Sequence, residues 1–425
     1  MLYLTGLELG RSRQLPPPEG MARMGLVLAD SNFPGAQNRP LTLTTEDRLR
    51  HLHLIGPTGV GKSTLIANAA LQDIERGDGL VLLDPKSDLV ADVLSRVPSS
   101  RTEDVIVLAP SATDFPVGFN VLQVGRSEHE LVVDHVVHVF SELWRSSWGP
   151  RTSDVLRNCL LTLTHTRAAD GSAFALTEVP ELLLNPTFRR FVTSQAGVPD
   201  SVRSFWATCE HMSEGERAQV IGPSLNKLRT LTTRTSLRLM LGQSTGIDLA
   251  DVFRKRRIVL VPLSKGVVGT ETAHLLGSLL MAALWQATLG RAAVPAERRR
   301  PAWAYLDEFQ DVLRLGSDNE LADMLAQARG LGLGLTLAHQ YLDQLPRQVQ
   351  SAVIGTARSQ VAFQLDHDDA RTLEKRFAPA MTAADLKELP VYEVAVRAAH
   401  FPPKRRTPAP TGAGTGIRTY LLWWS

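Results

Sequence analysis

The sequence predicts an α/β fold, a mostly parallel sheet with covering helices that carries an inserted all-helical domain. Three observations lead there. An alternating, branched-residue strand over 50–55 runs into a glycine-rich turn and then into the helix-forming Leu65-Ile66-Ala67-Asn68-Ala69-Ala70. Wholly apolar runs such as Leu80-Val81-Leu82-Leu83 are of the buried parallel-strand type and alternate with helical patterns. From 126 to 254 the apolar residues recur at helical spacing and the strand signal vanishes.

Residues 1–49 are punctuated by Pro and Gly, with short apolar pieces at Met24-Gly25-Leu26-Val27-Leu28 and Leu41-Thr42-Leu43-Thr44. They read as a short β-rich lead-in. The sheet domain comprises 50–125 and 255–400, with strands expected at 80–83, 105–108, 257–263, 301–309, 331–340 and 360–365. Helices are expected at 271–289, 319–329 and 367–377. The all-α insertion occupies 126–254 and has the size of a domain. Residues 401–425 read as a flexible basic tail, Pro/Gly/Thr-rich over 402–416 and carrying Lys404-Arg405-Arg406. Arg254-Lys255-Arg256-Arg257 and Arg298-Arg299-Arg300 each precede a strand and read as solvated turns at the N-terminal edge of the sheet.

The glycine-rich turn is Gly56-Pro57-Thr58-Gly59-Val60-Gly61-Lys62-Ser63-Thr64, which fits G-x-x-x-x-G-K-[ST] in the strand–loop–helix setting that motif requires. The glycines let backbone N–H groups curl around phosphate oxygens at a helix N-terminus that already favours anions. Lys62 supplies a mobile charge to the β- and γ-phosphates, and the Ser63 hydroxyl can ligate Mg²⁺. The expected ligand is ATP with Mg²⁺.

A hydrolase needs a second half-site. The apolar strand 303–306 ends in Asp307-Glu308, where one carboxylate holds Mg²⁺ and the next polarises the attacking water. Asp307 takes the first role and Glu308 the second. Gln340 closes another apolar strand at the edge where ligands of open α/β sheets sit, placed to sense the γ-phosphate. The adjacent His339 reads as packed or solvated. Arg329 ends the intervening helix. Its charge suits the helix dipole there, and it equally suits an arginine finger reaching a neighbouring subunit's nucleotide.

Composition excludes other classes. The hydrophobic fraction is 44% and the charged fraction 21%, as in ordinary globular proteins, and the net charge of +2 gives no sign of bulk nucleic-acid binding. Cys159 and Cys209 form no CxxC, which argues against a disulfide scaffold or zinc site and fits a reducing cytoplasm. The longest apolar run, 275–289, is short for a membrane span and carries Ser278 and Gln286, so it reads as a buried helix. No transmembrane or signal segment is expected.

Taken together, the chain resembles the type IV coupling proteins of conjugation, within the FtsK/HerA superfamily of ring-forming DNA-pumping ATPases. The resemblance runs from about residue 41 to 397. It is carried by Arg50-His51-Leu52-His53-Leu54-Ile55-Gly56, by Asp84-Pro85-Lys86-Ser87-Asp88-Leu89 and by Gly118-Phe119-Asn120-Val121-Leu122. Trp148-Gly149-Pro150-Arg151 with Leu156-Arg157-Asn158, Phe205-Trp206, Leu306-Asp307-Glu308-Phe309 and Gln340-Tyr341-Leu342-Asp343-Gln344-Leu345 complete it. It implies a RecA-like P-loop motor domain carrying the all-α domain on the cytoplasmic face of a hexameric ring. It carries over the loop glycines, Lys62 and Ser63 as nucleotide ligands, Asp307 and Glu308 as the Walker B pair and Gln340 as the sensor. Arg329 falls where a related coupling ATPase has its finger. The implied partners are DNA, further copies of the chain, and secretion-channel or relaxosome proteins. Familiar coupling proteins begin with transmembrane helices, none of which is expected within this sequence, and Ser87 replaces an acidic or glycine residue. The implied location is the cytoplasm, with contact to the inner membrane through a partner. A protein-secretion ATPase, a soluble HerA-like helicase and a low-turnover nucleotide switch are the competing readings.

Overall fold

The computed structural model describes residues 12–17, 21–123, 129–312, 320–398 and 419–423. Within them the strands are β1 (Leu26–Ser31), β2 (Pro40–Leu43), β3 (Leu52–Ile55), β4 (Gly79–Asp84), β5 (Val105–Val107), β6 (Ile258–Pro262), β7 (Ala302–Leu306), β8 (Leu333–His339), β9 (Ser359–Ala362), β10 (Glu393–Arg397) and β11 (Thr419–Trp423). They form one sheet in the order β2-β1-β11-β10-β9-β3-β8-β7-β4-β6-β5. From β9 to β5 every pairing is parallel, and from β9 outward to β2 every pairing is antiparallel.

The apolar runs are explained by burial on both faces. Along β4 every residue is buried, and successive side chains point to opposite faces. Leu80 and Leu82 pack with Leu65, Ile66 and Ala69 of the helix Lys62–Glu75 that follows the glycine-rich loop. Val81 and Leu83 pack on the other face with Leu276 and Leu280 of the helix Thr270–Leu289. That helix is apolar enough to span a membrane by length and composition, but its Leu275, Leu276, Leu279, Leu280 and Leu284 are buried inside the protein.

Between β5 and β6 the regular structure of the described residues is helical, apart from one isolated bridge between Arg167 and Ala173. The two ends of this stretch meet, since Ile247 donates its N–H to the Gly118 carbonyl at 2.9 Å. The Asn120 side-chain amide also donates to the Ser244 carbonyl at 3.0 Å. The stretch does not have a core of its own, however. Val133, Val136 and Phe140 of the helix His129–Leu143 share one apolar cluster with Leu276 and with the sheet residues Val81 and Val259. The helices between β5 and β6 thus share their packing with the sheet and the helix Thr270–Leu289.

Two parts of the sheet differ from expectation. β10 belongs to the sheet although 393–397 carried no strand expectation. The segment 401–425, expected to be a flexible tail, contributes β11 between β10 and β1. This pairing joins the lead-in strands β1 and β2 to the main sheet. The Lys404-Arg405-Arg406 run lies outside the described residues. The basic runs at 254–257 and 298–300 are partly used in structure. Arg254 and Lys255 pair with Asp251, and Arg299 donates to the carbonyls of Val294 and Gly330.

A buried polar cluster fixes the P-loop helix to the sheet. Arg48 donates to both Asp73 oxygens at 2.7 and 2.6 Å and to the Tyr305 hydroxyl at 2.9 Å, and its guanidinium stacks 3.5 Å from the Trp303 ring centroid. Tyr305 in turn donates to Asp73. Asp73→Ala leaves a buried cation unpaired, so the unfolding free energy is expected to fall by about 3–5 kcal/mol. Equilibrium denaturation measures it, and a loss under 1 kcal/mol would show that Arg48 finds water instead (a loss of about the surface-pair size).

Candidate active site

The site is built at the C-terminal edge of β3, β7 and β8. The loop 56–61 leaves β3 with Gly59 and Gly61 at φ 86° and 111°, backbone that side-chain-bearing residues rarely adopt. At Gly56 a Cβ would stand 2.6 Å from the Phe363 Cβ, so close approach demands glycine there too. Pro57, Thr58 and Gly59 are exposed, whereas Val60 is buried beneath the loop. Gly61 caps the helix Lys62–Glu75 without a side-chain hydrogen bond, so the first-turn amides of Lys62, Ser63 and Thr64 are not taken by a capping residue.

Lys62 is buried and its Nζ donates to the loop's own carbonyls, Gly56 at 2.6 Å and Pro57 at 2.9 Å. Burial lowers its pKa, with Glu308 and Asp307 opposing that shift. The Ser63 hydroxyl donates to Asp307 Oδ2 at 3.0 Å. Asp307 is buried, and burial with the neighbouring Glu308 pushes its carboxyl up to about 6. β8, not β7, is the hydrogen-bonded neighbour of β3. Asp307 therefore reaches Ser63 from one strand further away.

Glu308 sits at φ 43° and is buried. The turn carries its carboxylate back toward the loop, 3.8 Å from Lys62 Nζ and 3.9 Å from Lys86 Nζ. Gln340 donates to its Oε1 at 2.9 Å and Gln310 to its Oε2 at 3.0 Å. The structure thus brings together Lys62, Ser63, Asp307, Glu308 and Gln340. Arg329 is elsewhere. It lies in the last turn before β8 begins, at the opposite edge of the sheet, half-exposed and 3.5 Å from Glu46. The seven residues of β8 separate it from Gln340, roughly 20 Å at about 3.3 Å per residue. It does not serve its own chain's site.

Lys86 and Gln310 are site residues that the sequence motifs do not mark as such. Lys86 follows β4 in a turn held by Asp84, whose carboxylate accepts from the N–H groups of Lys86 and Val90 at 2.8 and 3.1 Å. Ser87 is at φ 74°, which explains why glycine suits that position.

His339 is packed, with a specific partner. Its Nδ1 and the Tyr341 carbonyl are 3.0 Å apart, so that nitrogen carries the proton. Its Nε2 then accepts from His53 Nε2 at 2.7 Å. The pair ties the P-loop strand to the turn that holds Gln340. A third buried imidazole, His51, accepts from the Leu335 N–H at 3.1 Å and donates to the Leu325 carbonyl at 2.8 Å. Burial pulls His51 and His339 down to about 4. A folded pKa below the unfolded value means that only the unfolded chain takes up these protons between roughly pH 6.5 and 4, so their contribution to stability falls as pH drops through that window. Asp307 and Asp369, both raised to about 6, pull the other way. His51→Gln keeps one donor and one acceptor but cannot titrate. Its denaturation midpoint should fall less between pH 7 and 4.5 than that of the wild type, and an equal fall would exclude His51 from the acid response.

The donor set fits Mg²⁺. Ser63 and Asp307 offer hard oxygens already within hydrogen-bond distance, and Mg²⁺ ordinarily takes one or two protein oxygens beside substrate phosphates.

Solved proteins share this fold. The bacterial conjugative coupling protein TrwBΔN70, in its unbound form, is similar over 90% of this chain and 89% of its own at 18% identity, with a TM-score of 0.60. The plasmid coupling protein TrwB in complex with ADP and Mg²⁺ is similar over 95% and 89%, at 18% identity and a TM-score of 0.59. VirB4 of Thermoanaerobacter pseudethanolicus is similar over 96% and 98%, at 13% identity and a TM-score of 0.63. No protein-family model matches the chain, and no curated protein does. At these identities the likeness shows the fold alone, a mostly parallel α/β sheet shared with these proteins over nearly the whole length of each.

Proposed function

We propose that the chain is a Mg²⁺-dependent ATPase that drives DNA translocation as a ring, most simply of six subunits. The observation that carries the hydrolytic reading is Glu308, a buried carboxylate positioned by Gln340 and Gln310 and facing Lys62. The amides of 59–64 and Lys62 hold the triphosphate. Ser63 and Asp307 would hold Mg²⁺, which would supply positive charge against the triphosphate. Glu308 takes the proton of a water whose oxygen bonds to the γ-phosphorus. The bond from that phosphorus to the β–γ bridging oxygen breaks, and ADP leaves with its electrons. Gln340, bonded to Glu308, couples the state of the γ-phosphate to β8.

The DNA reading rests on the motif resemblance and on the coupling-protein fold. Residues 126–254 act in it as a helical domain that meets the cargo or its adaptor, and contact with a membrane comes through a partner chain. Phosphate release with DNA of increasing length, single- and double-stranded, tests it. Turnover should rise with length until one ring is covered. Turnover indifferent to every DNA would sink the DNA reading, and stimulation by unfolded polypeptide would replace it with protein export.

A further inference from the structure

The catalytic groups define which end of a nucleotide lies where. Glu308 and Gln340 stand on the β7/β8 side of the P-loop strand β3. A triphosphate whose γ end meets them runs back along the loop, and its nucleoside leaves on the other side, toward β9 and β10. There Tyr392 stands against the loop. It precedes β10 in a turn closed by the Glu393 N–H on the Pro390 carbonyl at 3.0 Å. Its ring takes up the space a side chain on Gly61 would need, with Cδ1 3.1 Å and Cε1 3.7 Å from the Cβ position there. Phe363 backs the same loop from below, fully buried.

The ring packs on the loop with part of its surface still open. The residue is 53% exposed, and its φ is 67°, a left-handed conformation unfavourable for a bulky aromatic. Its hydroxyl has no hydrogen-bond partner among the described residues. The Pro390–Glu393 turn places this residue at its left-handed third position, and so fixes the ring beside the loop. Tyr341, the other exposed tyrosine near the site, follows Gln340 on the γ-phosphate side.

We infer that Tyr392 is the platform on which the purine base of the nucleotide stacks, a nucleoside-binding residue at the rim of the phosphate loop. The inference rests on the reading of the loop as a nucleotide site. An aromatic face binds any base by stacking, so the contact adds affinity without selecting strongly between adenine and guanine.

Calorimetric titration of the full chain with Mg-ATP and, separately, with Mg-tripolyphosphate tests it, because the second probe has phosphates and no base. Tyr392→Ala should weaken ATP roughly ten- to a hundred-fold and leave tripolyphosphate unchanged. Tyr392→Phe should bind both as the wild type does, since the hydroxyl is not used. Unchanged ATP affinity in Tyr392→Ala, or an equal loss for both probes, overturns the stacking role while leaving the phosphate site standing. A wild-type chain that binds neither probe sinks the phosphate site and this inference with it.

Discussion

Glu308→Gln is expected to bind Mg-ATP at least as tightly as the wild type and to hydrolyse it roughly 10²–10⁴-fold more slowly, the usual loss when a positioned base is removed. The replacement preserves volume, and its one amide oxygen can still accept from Gln340 or from Gln310, which now donate to the two carboxylate oxygens at 2.9 and 3.0 Å. What it removes is the basic oxygen. It also removes a negative charge 3.8 Å from Lys62 and 3.9 Å from Lys86, leaving the pocket more cationic and more favourable to a triphosphate. Equilibrium nucleotide binding and single-turnover phosphate release, measured on one preparation, separate the two effects. Wild-type turnover would take Glu308 out of the reaction.

Arg329→Ala should reduce turnover by roughly 10³–10⁵-fold, the contribution of an arginine finger, with nucleotide affinity spared. The geometry already rules out action within one chain, because Arg329 lies at the far edge of the sheet beside Glu46. As half-exposed surface charge in a monomer, Arg329 would matter little, since such pairs contribute under about 1 kcal/mol. A large effect therefore requires a neighbouring subunit. Mixing Arg329→Ala with Glu308→Gln chains supplies the discriminating result. Interfaces that join an intact Glu308 to an intact Arg329 should regain activity. Mixtures that co-assemble and stay inactive would exclude the trans arrangement.

The central strands were legible because both their faces are buried, and burial on both faces leaves a continuous apolar run in the sequence, as in β4, β6 and β8. The phosphate loop was legible because its backbone demands glycine at fixed spacing. β11 was hidden, since its partner β1 lies almost the whole chain away and its residues follow a Pro/Gly-rich stretch. The positions of Asp307 and Glu308 at a strand end were readable. The turn at Glu308 that aims its carboxylate back at Lys62 was not, because a positive φ at a glutamate leaves no mark in composition. The His53–His339 pair and the placement of Tyr392 beside Gly61 join residues hundreds of positions apart, so no local pattern announces them. The helices between β5 and β6 were visible by their period, while the core they share with the helix Thr270–Leu289 follows only from packing.

The measurement that bears most directly on the account is Mg²⁺-dependent phosphate release from ATP by the purified wild-type chain beside Lys62→Ala. Lys62 is the buried cation between the loop carbonyls and Glu308, and its removal takes away charge that both binding and the transition state need. Steady turnover that requires Mg²⁺ and disappears in Lys62→Ala is the expected result. ATP bound by the wild type without turnover above the Lys62→Ala level, at every protein concentration and with DNA present, would contradict it.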